Sequence, residues 1–131
     1  MARRRNFNTD GLTNLKMDSD TYALRRKVMG FIYEAKEVVD LPRIDIRIAD
    51  KKPTMTTLGR AVMGGRMIWI TTDALSRYTH DELRHIVFHE LCHAVGSVVH
   101  NKRCPLMSPF LAKGENCSQS QARKLLKKYL G

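Results

Sequence analysis

His89, Glu90 and His93 form a His-Glu-x-x-His arrangement. Four residues apart on a helix, the two histidines project from one face, and their imidazoles can converge on a single metal ion. Neutral imidazole is a good ligand for Zn²⁺, and a catalytic zinc site keeps one position open for water. A carboxylate beside such a site can take that water's proton, which gives Glu90 the role of general base. Two ligands from one helix need a third from elsewhere. Gly96 followed by His100 offers a turn and then an imidazole close in sequence, so His100 is the candidate, with Glu115 in its loop-like Lys-Gly-Glu-Asn setting as the alternative. His85 is in phase with His89 and His93, but three residues spread over two helical turns span about 12 Å and cannot all reach one ion. It is expected to be a neighbour of the site, and His80, in the first turn, to be exposed.

These residues need a rigid helix to hold them. Thr79 and Glu82 make a capping box, and Tyr78 and Leu83 are placed for a hydrophobic staple, so a helix should start there. Leu83, Ile86, Val87, Phe88, Leu91, Ala94 and Val95 wrap most of its circumference, which makes it central and buried. Two histidines and a glutamate in such a helix would be costly without a metal and hydrogen bonds to compensate. Gly96 is expected to end the helix in a left-handed conformation.

Upstream, apolar residues from Tyr22 to Val39 recur at helical spacing, and Pro42 is expected to end that helix. Arg43 to Ala49 alternates charged and apolar residues, the pattern of a strand that buries Ile44, Ile46 and Ile48. Leu58 to Met63 and Arg66 to Thr71 flank Gly64-Gly65 and read as a hairpin, with Trp69 buried in its second strand. Downstream, Ser118 and Gln121 form a second capping box before Ala122, Leu125, Leu126, Tyr129 and Leu130, a closing amphipathic helix.

With 131 residues the chain fits one domain, read as 19–131 behind a basic flexible arm, 1–18. The 23 Lys and Arg against 13 Asp and Glu give a net charge of +10, which suits a nucleic acid or an acidic partner, contacted through the basic termini. Neither a secretory signal nor an apolar run long enough for a membrane is visible, so a cytoplasmic protein without a membrane partner is expected. Cys92, Cys104 and Cys117 are an odd set without a framework pattern, consistent with free thiols, although a Cys104–Cys117 bridge stays open. Cys92 is out of phase with the ligand histidines and reads as a buried, inert thiol.

His89-Glu90-x-x-His93-x-x-Gly96-x-x-x-His100, followed by Leu106-Met107-Ser108-Pro109, resembles the metzincin zinc metalloproteases, matrixin-like members in particular. The resemblance covers residues 20 to 131 and implies an α+β, zincin/metzincin-like fold. That fold is a small twisted mixed sheet packed on an N-terminal helix and a central active-site helix, with a C-terminal helix closing the domain. It implies one Zn²⁺ held by His89, His93 and His100, Glu90 as the catalytic residue, and Met107 in a structural turn beneath the metal. It also implies that a peptide or protein substrate pairs with an edge strand around Gly59, Arg60 and Ala61. The substrate side chain after the scissile bond would approach Pro109 and Phe110. His100 departs from the pattern: it stands one residue later than in metzincins, where Val99 would be the ligand. The function implied is a zinc-dependent endopeptidase. A DNA-associated protease of the SprT-like type is the alternative within enzymes, suggested by the basic termini, although its third histidine usually lies further along. A non-catalytic zinc-containing module that binds nucleic acid or protein is the alternative from another class.

Overall fold

Alternation along residues 43–49 puts Ile44, Ile46 and Ile48 on one face of a strand. In the computed structural model, which describes residues 12–16, 18–51, 58–109, 111–112 and 114–131, all three are buried. The strand, β2 (Asp45–Lys51), lies in a mixed sheet of order β1-β2-β4-β3 with β1 (Leu12–Asn14), β3 (Gly59–Ala61) and β4 (Met67–Thr71). β2 and β4 run parallel, with Ile46 opposite Ile68 and Ile48 opposite Ile70, while β1 and β3 pair antiparallel on the outside. Parallel central strands are normally covered, and their apolar residues form the contact with the helices. Within the stretch read as a flexible arm, residues 12–14 pair with β2 and Asp18 caps the first helix.

That helix, α1 (Ser19–Lys36), starts where the Asp18 side chain accepts from Thr21 N at 2.8 Å. Val28, Phe31, Ile32 and Ala35 form its buried stripe. It stops well before Pro42: Val38 N and Val39 N both bond to Ala35 O in a closing turn, which carries Val39 into the core. The hairpin forms as the two glycines predict, but its left-handed residues are Gly64 and Arg66. Gly65 is needed for a different reason, since a Cβ there would lie 2.2 Å from Val62 Cγ1. A short helix, α2 (Thr72–Arg77), follows β4 directly and was not legible as periodicity; its cap is Thr71, whose hydroxyl accepts from Ala74 N at 3.2 Å.

α3 (His80–Gly96) is the central element. Thr79 Oγ1 accepts from Glu82 N at 3.2 Å while Glu82 Oε1 accepts from Thr79 N at 2.8 Å, completing the capping box. Leu83, Val87, Phe88, Leu91 and Ala94 are sealed in the core. Its end corrects the expectation for Gly96. The left-handed residue is Ser97, at φ 52°, and Gly96 is still helical. The glycine lies instead against α4 (Gln119–Leu130): a Cβ on Gly96 would sit 2.6 Å from Leu130 Cδ2, so that side chain would have to shift. The hairpin turn covers the same helix end, Gly64 N donating to His93 O at 3.1 Å and Arg66 N to Ala94 O at 3.3 Å. Helices α1, α3 and α4 are tied together by Glu34, which accepts from Arg84 at 2.8 Å and from Gln119 at 3.1 Å and pairs with Arg123. Among the described residues, no helix is long and apolar enough to cross a membrane.

Candidate metal centre

Helical spacing places His89 and His93 on one face of α3, and the loop that follows decides where their rings point. His89 Nδ1 donates to Leu106 O at 2.7 Å, and His93 Nδ1 donates to Val98 O at 2.6 Å. A carbonyl oxygen can only accept, so in each neutral ring the proton sits on Nδ1 and Nε2 is a bare lone pair. Those two Nε2 atoms lie 3.1 Å apart. Lone pairs at that distance repel unless a cation lies between them.

His100 completes the arrangement. Its Nε2 is 3.3 Å from that of His89, and the three ligand nitrogens lie within 4.8 Å of one another. Tetrahedral ligands at a Zn–N distance of about 2.05 Å would be separated by about 3.3 Å, so the donor set fits zinc. The left-handed Ser97 turns the chain back from α3, and the extra residue before His100 is taken up with Val99 pointing outward, 68 % exposed. Glu115 is exposed and outside this cluster. The same loop therefore supplies one ligand and, through Val98 and Leu106, the two carbonyls that fix the tautomers of the others. Such outer partners orient ligand histidines and raise their basicity.

Burial pushes His89 down to about 4, opposed by its bond to Leu106 and assisted by neighbouring histidines. His93 is lowered as well, again chiefly by burial. Both are thus held neutral, the form that binds metal. Glu90 faces the opposite pressure: burial pushes its carboxyl up to about 8, with Arg60 pulling the other way. It lies against β3, and a Cβ on Gly59 would come within 3.1 Å of Glu90 Cγ and Oε2. The glycine therefore leaves room for the carboxylate at the sheet edge.

A cleft of about 370 Å³ runs beside the histidines, walled by Gly59 and Arg60 of β3, by Ile86, His89 and Glu90 of α3, and by Pro109. Of the residues expected to meet a substrate, Gly59, Arg60 and Pro109 reach this cleft and Ala61 does not line it. Phe110 lies outside the described residues. Met107 is fully buried, and its carbonyl accepts from Asn101 N at 2.9 Å, which closes the loop on itself. Sequence reading missed the roles of Tyr78 and Leu111 as cleft walls, while His85, expected as a neighbour of the site, lines it as well. The helical phase of His85 with His89 was the available signal. Cys92, Cys104 and Cys117 are buried and free, and burial pushes the Cys92 thiol up to about 12, as suits an inert packing residue.

A mixed α+β domain whose central helix carries a His-Glu-x-x-His pair beside a third histidine is that of a zincin-like, metalloprotease-related protein. More narrowly, residues 23–128 match the SprT-like family, and the chain belongs to it. No curated protein matches it significantly.

Proposed function

We propose that this chain is a zinc-dependent endopeptidase. The observation that carries the reading is the convergence of bare imidazole nitrogens beside a buried carboxylate, in a cleft bordered by a sheet edge. His89, His93 and His100 would hold Zn²⁺, which when bound supplies Lewis acidity that acidifies water and polarises a carbonyl. A merely structural zinc site would more often close its fourth position with a protein ligand.

Glu90 then acts as general base, taking a proton from water and returning it to the leaving amine. Its raised affinity for a proton, set by burial, suits a group that must both accept and release one near neutrality. β3 is the outer strand of the sheet and lines the cleft, so an extended peptide can add to it antiparallel or parallel through main-chain hydrogen bonds at Gly59, Arg60 and Ala61. The side chain after the scissile bond enters the cleft toward Pro109, with Phe110 following in the chain. Met107 and Leu106 floor the site in the manner of a metzincin methionine turn, the Leu106 carbonyl holding His89 in its metal-binding tautomer.

Metal analysis with a peptide-library digest tests this directly. Glu90→Ala should keep stoichiometric zinc and lose on the order of 10²-fold or more of its hydrolysis. A variant as active as the parent would remove Glu90 from the mechanism.

Family membership and a net charge of +10 favour a DNA-associated form of the same protease, with nucleic acid held by the basic termini, including the exposed Lys124, Lys127 and Lys128 of α4. DNA binding that weakens steeply with salt and survives Glu90→Ala, together with peptide cleavage lost in that variant, is the outcome expected. Binding with no cleavage of any peptide would favour a non-catalytic module.

A further inference from the structure

Among the described residues that line the cleft beside the metal centre, His85 is a buried polar group that hydrolysis does not use. It is 3 % exposed and lines the cleft together with apolar Leu58, Ile86 and Leu111 and polar Arg60, Tyr78 and Ser108. Its Nδ1 is occupied: Cys117 N donates to it at 2.9 Å. A ring nitrogen that accepts carries no proton, so His85 is neutral and its hydrogen is on Nε2. Among the described residues nothing accepts from that Nε2–H, and the residue lines the cleft. The loop before α4 therefore fixes the tautomer and leaves a donor at the cleft wall.

His85 stands one helical turn from His89, about 6 Å along the axis. That offset takes it away from the scissile bond by roughly the reach of a substrate side chain. We propose that His85 is a specificity-determining residue, whose Nε2–H selects an uncharged, acceptor-tipped side chain, an amide such as glutamine, immediately after the cleaved bond. The assignment rests on the peptidase reading above. A site with a buried donor rejects a ligand that cannot accept from it more strongly than an apolar wall rejects a small change in size. An amide also needs no counter-charge when it leaves water, because it is neutral.

The test uses paired peptides that differ only in glutamine, leucine or glutamate at that residue, with zinc-loaded protein. The wild type should favour glutamine over leucine by about tenfold or more in kcat/KM. In His85→Asn the amide oxygen can replace Nδ1 as acceptor for Cys117 N–H while the donor at the cleft is withdrawn, so the preference should fall toward one. In His85→Gln, whose amide nitrogen reaches further, it should be kept within about threefold. An unchanged glutamine preference in His85→Asn, or a wild type that favours glutamate over glutamine, overturns the assignment. If the wild type cleaves none of the peptides, the peptidase reading fails, and the pocket is then judged by ¹⁵N NMR of the imidazoles. Glutamine amide should shift the His85 Nε2–H signal and leucine amide should not; equal shifts, or none, would overturn the proposal independently of cleavage.

Discussion

Helix α3 carries two polar clusters with opposite accounting. Toward its start, Arg84 is 4 % exposed and fully engaged, with Glu34 at 2.8 Å and Asp81 at 2.6 Å. Burial alone would raise Glu34 and lower Arg84, yet hydrogen bonds and charge between them hold Glu34 below and Arg84 above their ordinary values. Toward its end, His89 and His93 present bare nitrogens to each other, and burial drives Glu90 upward against the pull of the Arg60 charge. The first cluster is satisfied within the protein. In the second, the Nε2 atoms of His89 and His93 carry no proton between them, and a metal ion would satisfy both.

Breaking the satisfied cluster should have the largest effect. Arg84→Ala leaves Glu34 buried with fewer partners and should lower unfolding free energy by about 3–5 kcal/mol, read from urea denaturation. A loss below about 1 kcal/mol would mean that solvent replaces the arginine and that the contrast between the clusters is weaker than drawn. Zinc stoichiometry of the fraction that remains folded should not change.

His100→Ala attacks the other cluster and should show the reverse pattern. Zinc affinity, measured by competition with a chromophoric chelator, should fall on the order of 100-fold, while stability of the metal-free protein stays within about 0.5 kcal/mol because His100 is exposed. Retained affinity would remove His100 from the ligand set.

A smaller effect concerns pH. In metal-free protein Glu90 is raised from 4.5 to about 8, so the folded chain keeps a proton that the unfolded chain has released. This contribution is fully present below the unfolded value and is lost as pH rises toward the folded one. Thermal unfolding of chelator-treated protein should therefore show a stability decline over that window that Glu90→Gln flattens; parallel curves would place the carboxylate in a wetter setting. The smallest effect is expected at the end of the helix. Ser97 sits at φ 52°, and Ser97→Gly should stabilise by up to about 1 kcal/mol. Destabilisation would show that the serine side chain contributes more than its backbone strain costs.

Much of this was legible in the chain because it is local. The Thr79–Glu82 box, the alternation of Ile44, Ile46 and Ile48, and the Gly64-Gly65 hairpin each depend on neighbours within a few residues, and each forms. The His-Glu-x-x-His pair is likewise a property of helical pitch. Other features were misread because their causes are distant. Gly96 looks like a helix terminator and is instead a contact for Leu130, and the edge of the arm becomes β1 only because β2 has a free side to pair with. α2 is too short to produce a periodic signal.

The sequence by itself determined the donors, two histidines and a carboxylate on one helix, since spacing and side-chain chemistry are enough for that. Only the tertiary structure decided how those donors face. Carbonyls of Val98 and Leu106, contributed by a loop whose path no local rule specifies, turn Nε2 of His93 and His89 toward His100. Likewise, a backbone N–H from Cys117, 32 residues away, leaves His85 a donor at the cleft. Tautomer and direction are set by which partner the fold brings to the far side of each ring, and that partner is remote in the chain.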